Sequence, residues 1–245
     1  MGARPHDSGG PWRNFYGRIK GKTMNKVQQV RLETQLKSLS PGPVGYEENP
    51  HRTPLDPSAI FGGKEIWLEI GFGGGEHLAH QAKNNPDVGF IGCEPFVNGV
   101  AMLLGKIERE DITNIRIYPG DVRDLFDVLP ENSITKAFLL YPDPWPKKRH
   151  HRRRFVTPDH LWPLARVMAE TCEFRVATDI EDYVRQTLEN VPECGFDPAG
   201  DLPATWHQIW PDWISTRYEQ KALREGRVPH YLSFRRNGKT VPEDI

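Results

Sequence analysis

Short apolar runs alternate with helical patterns from residue 66 onward, and this alternation constrains the fold more than any other feature. The segments 66–70, 88–93, 115–118, 134–141 and 173–177 each resemble a buried strand. Between two of them, Val100, Leu103, Leu104 and Ile107 recur at the spacing of one helix face. Strands that alternate with helices predict an α/β fold with a mostly parallel, doubly wound sheet and helices on both faces.

The remaining helices and the last strand are predicted from local signals. A helix over 76–84 should follow the glycine-rich segment 71–75, and Thr157-Pro158 is a typical N-cap and first-turn pair that opens another. A further helix should follow Asp179. The segment 206–236 has a mixed pattern that ends in a strand over 231–234.

Several polar or glycine residues come directly after predicted strands. In doubly wound sheets, ligands bind outside the carboxyl ends of the strands. We therefore expect a common rim formed by the glycine turn 71–75 and by Glu94, Asp121, Asp143 and Asp179.

The glycine turn has the spacing GxGxG, with Glu76 where the dinucleotide pattern GxGxxG needs its last glycine. A carboxylate at Glu69 would also repel a pyrophosphate, whereas it suits a cationic ligand such as S-adenosylmethionine. Glu94 ends the second strand, where an acidic residue can accept from ribose hydroxyls, and Asp121 ends the third, near an adenine. The alternative is that these carboxylates only cap helices and the glycines only serve packing.

Residues 141–155 read YPDPWPKKRHHRRRF, a proline-rich turn fused to a run of cations. The turn places Asp143 and Trp145 at a strand end, where they could form a pocket for a flat polar group. The next eight residues, 147–154, are all Lys, Arg or His and suit phosphate binding. Alternatives stay open for each part: Asp143 as a turn residue, Trp145 as a packing residue, and the run as a solvated charged surface.

Charge is segregated along the chain although the formal net charge is only −1. Residues 1–40 hold eight Lys/Arg against two Asp/Glu, so two basic segments lie in an otherwise acidic protein. This distribution indicates a polyanion that is contacted locally. We predict a flexible basic arm over 1–55, with a short helix near 25–39, and one folded domain over 56–245. The arm would be disordered in the free protein or would order over RNA.

Other classes of protein are disfavoured by what the sequence lacks. Cys93, Cys172 and Cys194 have no metal-ligand spacing and are expected to be reduced, and we predict no metal site. No run of about 18 apolar residues predicts a membrane span. The basic N-terminus has no apolar segment that would indicate a secretory signal.

Six motifs occur together in a fixed order: LEIGFGGGEHL, GCEPF, GDV, YPDPWPKKRHHRRRF, ATDIEDY and STRYEQKAL. In this order they resemble the bacterial tRNA (guanine-N7-)-methyltransferase family, over roughly residues 57–236. The resemblance implies a Rossmann-like class I methyltransferase fold, S-adenosylmethionine as methyl donor, and transfer to a guanine in the variable loop of tRNA. The products would be 7-methylguanosine and S-adenosylhomocysteine.

The resemblance also implies roles for particular residues. Asp143 would be catalytic. The cofactor would be held by Glu69, Gly71, Gly73, Glu94, Asp121 and Asp143. The substrate would be contacted by Lys147, Asp179, Thr216, Arg217, Tyr218 and Glu219, with Glu219 as an acceptor for the guanine edge. RNA would be contacted by Arg149, His150, His151, Arg152, Arg153 and Arg154. For Asp179, a plain N-cap is the alternative.

Guanine N7 carries an in-plane lone pair, so no proton has to leave before it attacks a methyl group. Catalysis should therefore come from positioning and electrostatics, with Asp143 favouring the positive charge that develops on the base. Two other readings stay open: a methyltransferase for exocyclic amines, and an RNA-binding module with a vestigial cofactor pocket. We expect a cytoplasmic protein with tRNA as its partner, no membrane contact and no obligate protein partner, acting as a monomer or a homodimer.

Overall fold

A computed structural model describes residues 15–202 and 204–243 and contains one seven-stranded sheet. The strands are β1 (Ile66–Ile70), β2 (Gly89–Cys93), β3 (Ile115–Tyr118), β4 (Ile134–Leu140), β5 (Met168–Thr178), β6 (Phe196–Pro198) and β7 (His230–Arg236). Their order is β3-β2-β1-β4-β5-β7-β6. Strands β1 to β5 pair in parallel, whereas β7 is antiparallel to both β5 and β6. This confirms the mostly parallel, doubly wound sheet.

Eight α-helices surround the sheet in the described residues. They are α1 (Lys26–Thr34), α2 (Pro57–Phe61), α3 (Glu76–Asn84), α4 (Val97–Glu110), α5 (Val122–Phe126), α6 (Pro158–Val167), α7 (Glu181–Glu193) and α8 (Arg217–Arg224). Short polar side chains begin several of them: Asp56 accepts from the Ala59 amide at 3.0 Å, and Thr216 accepts from the Glu219 amide at 3.3 Å. Two 3₁₀ helices, Leu36–Leu39 and Lys148–Arg153, complete the set.

The core has a layer on each face of the sheet, because successive strand residues point to opposite faces. In β2, Phe90 packs with α3 and α4, whereas the next residue, Ile91, packs in the larger cluster with α5, α6 and α7. The predicted helix face of Val100 and Leu103 is fully buried in the first layer. Helices therefore cover both faces, as predicted.

Much of the segment that we assigned to the arm packs on the domain. Residues 1–14 of the predicted arm lie outside the described residues. Leu32, Leu36 and Leu39 pack against the layer of α3 and α4, and Val44 and Leu55 are buried in the other layer. The packed unit therefore includes residues from the region 26–55.

The described residues contain no helix long and apolar enough to cross a membrane. Within the same residues, no group of three or more His, Cys, Asp or Glu side chains has the geometry of a metal site. All three cysteines are free; Cys93 and Cys194 are buried and Cys172 is half-buried.

Candidate active site

A cavity of about 630 Å³ lies at the carboxyl ends of the parallel strands. It lies where the strand order reverses between β1 and β4, because chain connections leave these two strands in opposite directions. Five of the six predicted cofactor residues line it together: Gly71, Gly73, Glu94, Asp121 and Asp143. Each of these residues comes directly after a parallel strand or in the turn that follows one, so their expected position at a common rim is confirmed.

Glu94 connects the end of β2 to the glycine turn. Its carboxylate is 7% exposed and accepts from the Gly73 amide at 2.6 Å and from the Phe96 amide at 2.8 Å. Burial raises its pKa although these two hydrogen bonds act in the opposite direction, and the Asp143 carboxylate raises it further. Each carboxylate oxygen keeps a second lone pair, so Glu94 can still accept from a ligand hydroxyl.

Asp121 caps helix α5 and pairs with Arg123, which also lines the cavity. Its Oδ1 accepts from the Arg123 amide at 3.0 Å, and its Oδ2 lies 2.5 Å from Arg123 Nη2. Burial opposes ionisation, but the hydrogen bonds and charge of Arg123 outweigh it and lower the pKa of Asp121. The same carboxylate therefore caps α5 and lines the cavity.

Asp143 differs from these carboxylates because no side chain pairs with it among residues 15–202 and 204–243. It is exposed in the wall of the cavity, yet protein atoms crowd around it, and this burial raises its pKa. The preceding β4 ends at Leu140, and Tyr141 takes a left-handed φ of 49° that turns the chain into the proline segment. The fold therefore presents an unpaired carboxylate to the cavity.

Glu69 does not line the cavity, although it lies in β1 next to the glycine turn. It is 3% exposed, and its Oε2 accepts a hydrogen bond of 2.7 Å from His77 Nδ1 of helix α3. His77 in turn packs against Phe138 and Trp213, with ring centroids 4.7 and 5.3 Å away. Glu69 thus joins β1 to α3 beneath the turn.

The start of helix α8 covers the glycine turn. Tyr218 lines the cavity, and a Cβ on Gly73 would lie 2.9 Å from its ring. Arg217 donates from Nε to Glu76 at 2.8 Å across the turn. Arg217 and Tyr218 of the predicted substrate segment therefore lie over the predicted cofactor turn.

Glu219 and Asp179 are engaged by other protein groups. Glu219 is 3% exposed and accepts from Tyr141 Oη at 3.2 Å, from Trp213 Nε1 at 3.0 Å and from the Tyr231 hydroxyl. Its carboxylate is therefore surrounded by protein donors rather than presented to the cavity. Asp179 forms an ion pair with Arg227 and does not line the cavity.

The cationic run from Lys147 to Arg154 divides into exposed and buried members. The side chains of Lys147, Lys148, Arg149 and Arg152 are exposed, and Arg152 lines the cavity together with Arg153. His150 is half-buried, and His151 Nε2 lies 3.1 Å from Asp182.

One assignment in this run is wrong. Arg154 was predicted to contact RNA, but it is 1% exposed, and its guanidinium lies inside the protein against α7 and the proline turn. The 3₁₀ helix ends at Arg153, and the chain then enters the core, where Val156 is fully buried. Arg154 lies at this entry, so its side chain points inward with the chain.

The cavity also has walls that sequence reasoning missed. Residues 15–18 line it from the N-terminal side, and Asp159 and His160 line it from the start of α6. Trp145 lies between Tyr16 and His150, with Arg153 5.0 Å from its ring centroid, so it belongs to the cavity wall and not to the sheet. The Thr157-Pro158 pair predicts the start of a helix. Because helices of this fold begin near the carboxyl ends of the strands, the pair could have indicated that Asp159 and His160 lie at the rim.

The comparisons with known proteins agree with this geometry. Residues 63–232 match the family model described as "Putative methyltransferase". The chain is 69% identical over 226 residues to the tRNA (guanine-N(7)-)-methyltransferase of Ruegeria pomeroyi, which covers 92% of this chain and 95% of the relative. The chain belongs to the tRNA (guanine-N(7)-)-methyltransferase family.

More distant members and structures extend the match. The tRNA (guanine-N(7)-)-methyltransferase of Rhodospirillum rubrum is 45% identical over 230 residues, 93% of this chain and 89% of that protein. The crystal structure of the 16S rRNA methyltransferase KamB superposes with a TM-score of 0.52 at 14% identity, over 90% of this chain and 99% of that one. At such low identity the superposition shows the shared Rossmann-like fold of class I methyltransferases alone.

Proposed function

We propose that this protein transfers the methyl group of S-adenosylmethionine to N7 of a guanine in the variable loop of tRNA. The products are 7-methylguanosine and S-adenosylhomocysteine. The observation that carries the proposal is the unpaired Asp143 carboxylate in a cavity that Glu94 and the glycine turn also line, within a chain of this family.

The residues present fit S-adenosylmethionine. The cavity volume is in the range of ligand pockets, and a Cβ on Gly71, whose φ is 69°, would meet only open space. Burial raises the pKa of both Glu94 and Asp143, so a cationic ligand would be favoured next to them. Glu94 would accept from the ribose, and Asp121 would lie near the adenine. Glu69 would act indirectly, by holding His77 of the helix that follows the glycine turn.

When bound, S-adenosylmethionine supplies an electrophilic methyl group that leaves its sulfonium as the N7–carbon bond forms. N7 needs no general base, because its lone pair is free before the reaction. We assign Asp143 to orienting the guanine through its N1–H and exocyclic amine and to favouring the positive charge that methylation creates on the base.

We assign the exposed part of the cationic run to the tRNA backbone. Lys147, Arg149 and Arg152 are accessible, and neutralising phosphates would relieve the repulsion between them. Tyr218 lies over the turn and is placed to stack on the base. Thr216 and Arg217 would support this position by capping α8 and by holding Glu76.

Arg153 would contact the substrate from the cavity wall, and the half-buried His150 and His151 would lie beside it. Asp179 and Glu219 would act indirectly, because neither lines the cavity. Glu219 would act by holding Tyr141, two residues before the catalytic carboxylate. We place the enzyme in the cytoplasm, where it would act on tRNA as a monomer.

The variants Asp143→Asn and Asp143→Ala test the catalytic assignment. Both should lower the turnover number on unmodified tRNA by about 100-fold or more, because an oriented charge is lost at the reacting base. S-adenosylmethionine should still bind in a calorimetric titration. Near-normal turnover of either variant would contradict the role of Asp143.

A further inference from the structure

The turn that carries Asp143 cannot hold its own shape through backbone hydrogen bonds. Prolines at 142, 144 and 146 remove three amide donors, and in the described residues no backbone–backbone hydrogen bond joins 142–146 to another segment. Tyr141 and Trp145 both adopt left-handed φ values, 49° and 42°. Such conformations in non-glycine residues cost about 1–3 kcal/mol each and persist only where the surroundings impose them.

The side chain of Arg154 supplies the missing donors. Its Nε donates to the Pro144 carbonyl at 2.8 Å, and its Nη2 donates to the Trp145 carbonyl at 3.4 Å. These are the two carbonyls that directly follow Asp143. One planar guanidinium therefore holds two successive peptide groups that follow Asp143, Pro144–Trp145 and Trp145–Pro146.

Helix α7 holds Arg154 from the other side. Asp182 Oδ2 lies 2.9 Å from Nη2, Gln186 Oε1 accepts from Nη1 at 3.0 Å, and the guanidinium carbon lies 5.2 Å from the Tyr183 ring centroid. The Arg154 side chain is 0% exposed. A buried charge with this many partners has one geometry, because leaving any donor unpaired in the interior is costly.

We propose that Arg154 is a positioning residue that fixes the Asp143 carboxylate relative to the guanine. The proposal rests on the function proposed above, since it assigns Arg154 an effect only through Asp143. A displacement of about 1 Å at a reacting group can cost about 100-fold in rate. Loss of the clamp should therefore lower turnover without weakening cofactor binding at the glycine turn.

Arg154→Lys is the informative substitution, because lysine keeps the charge but cannot donate to two carbonyls and a carboxylate in one plane. We expect the turnover number at saturating tRNA to fall by about 10- to 100-fold. The dissociation constant for S-adenosylmethionine and the salt dependence of tRNA affinity should be unchanged. Arg235→Lys is the matched control, because Arg235 is an exposed arginine of β7 that does not line the cavity. The same exchange there should leave the turnover number and the salt dependence at their wild-type values.

The double variant Asp143→Asn/Arg154→Lys separates positioning from an independent role. If Arg154 acts through Asp143, the double variant is no slower than Asp143→Asn alone. Multiplying losses in the double variant would overturn the proposal. An unchanged turnover number with reduced salt dependence in Arg154→Lys would also overturn it, in favour of direct RNA contact.

Gln186→Ala and Asp182→Asn keep the proposal testable if Arg154→Lys does not fold. Each loosens the clamp from α7, so turnover should fall with cofactor affinity retained, and unchanged turnover in both would refute the proposal. Normal turnover of Asp143→Asn itself would instead remove the proposed catalytic role, which distinguishes the two failures.

Discussion

Gly99 offers a direct test of how the cofactor turn is held in place. It lies in the first turn of α4, and an alanine Cβ there would lie 2.1 Å from the Gly73 carbonyl oxygen. The carbonyl would have to move by about 1.3 Å to reach the 3.4 Å of an ordinary contact, and close-packed interiors resist such a shift. Gly73 cannot follow freely, because its amide is held by Glu94 at 2.6 Å and Tyr218 covers it.

We therefore expect Gly99→Ala to lose a charge-assisted hydrogen bond worth about 1.5–3 kcal/mol, which weakens S-adenosylmethionine binding by about 10- to 100-fold. Overpacking should also cost about 1–3 kcal/mol of folding free energy and lower the melting temperature by several degrees. Calorimetric titration and thermal denaturation measure the two effects.

Gly105→Ala in the same helix is the matched control. Its Cβ would lie 3.0 Å from Nη1 of Arg31, which is the movable end of a side chain. The higher helix propensity of alanine should therefore dominate and raise the free energy of unfolding by up to about 1 kcal/mol. Cofactor affinity should stay at the wild-type value. Equal affinities of Gly99→Ala and Gly105→Ala for S-adenosylmethionine would show that contact with Gly99 does not set the shape of the turn.

Three further predictions follow from the charges of the site. Burial raises the pKa of Asp143, and the proposed role needs its ionised form, so the turnover number should fall as the pH drops through that raised pKa. If the turnover number of Asp143→Asn fell over the same pH range, this prediction would be contradicted. The raised pKa also means that ionised Asp143 destabilises the fold, so Asp143→Asn should melt at a higher temperature than wild type at pH 7; the difference should shrink as the pH falls through the window between the unfolded and folded pKa values. Arg152→Ala should make the negative slope of log affinity for tRNA against log salt less steep by about 0.7–0.9. Arg235→Ala should leave the slope unchanged, because Arg235 is an exposed arginine of β7 that pairs with Glu173 of β5 and does not line the cavity.

The strands and long helices were predictable because each is fixed by its own pattern. The predicted runs 66–70 and 115–118 coincide with β1 and β3, and the predicted helix 76–84 coincides with α3. The short elements β6 and α5 were missed, because three to five residues carry too little periodicity. Helix α8 was predicted only as part of a mixed segment, since its apolar face is interrupted by the buried Glu219.

The site was predictable to the extent that parallel strands end at one rim. Asp143 and Glu94 line the cavity for that reason. Composition could not reveal that Arg154 is buried, because its partners on α7 lie 28 and more residues along the chain. The same holds for the 15–18 segment, which reaches the cavity because the Ile19 carbonyl accepts from the Val97 amide at 3.0 Å.

The most direct test of the proposed reaction is incubation with labelled S-adenosylmethionine and unmodified tRNA, followed by nucleoside analysis. A matched transcript carries 7-deazaguanine, which has carbon in place of N7. We expect label in 7-methylguanosine from the variable loop of the first substrate and none in the second. Label on an exocyclic amine, or equal label in the 7-deazaguanine transcript, would contradict it.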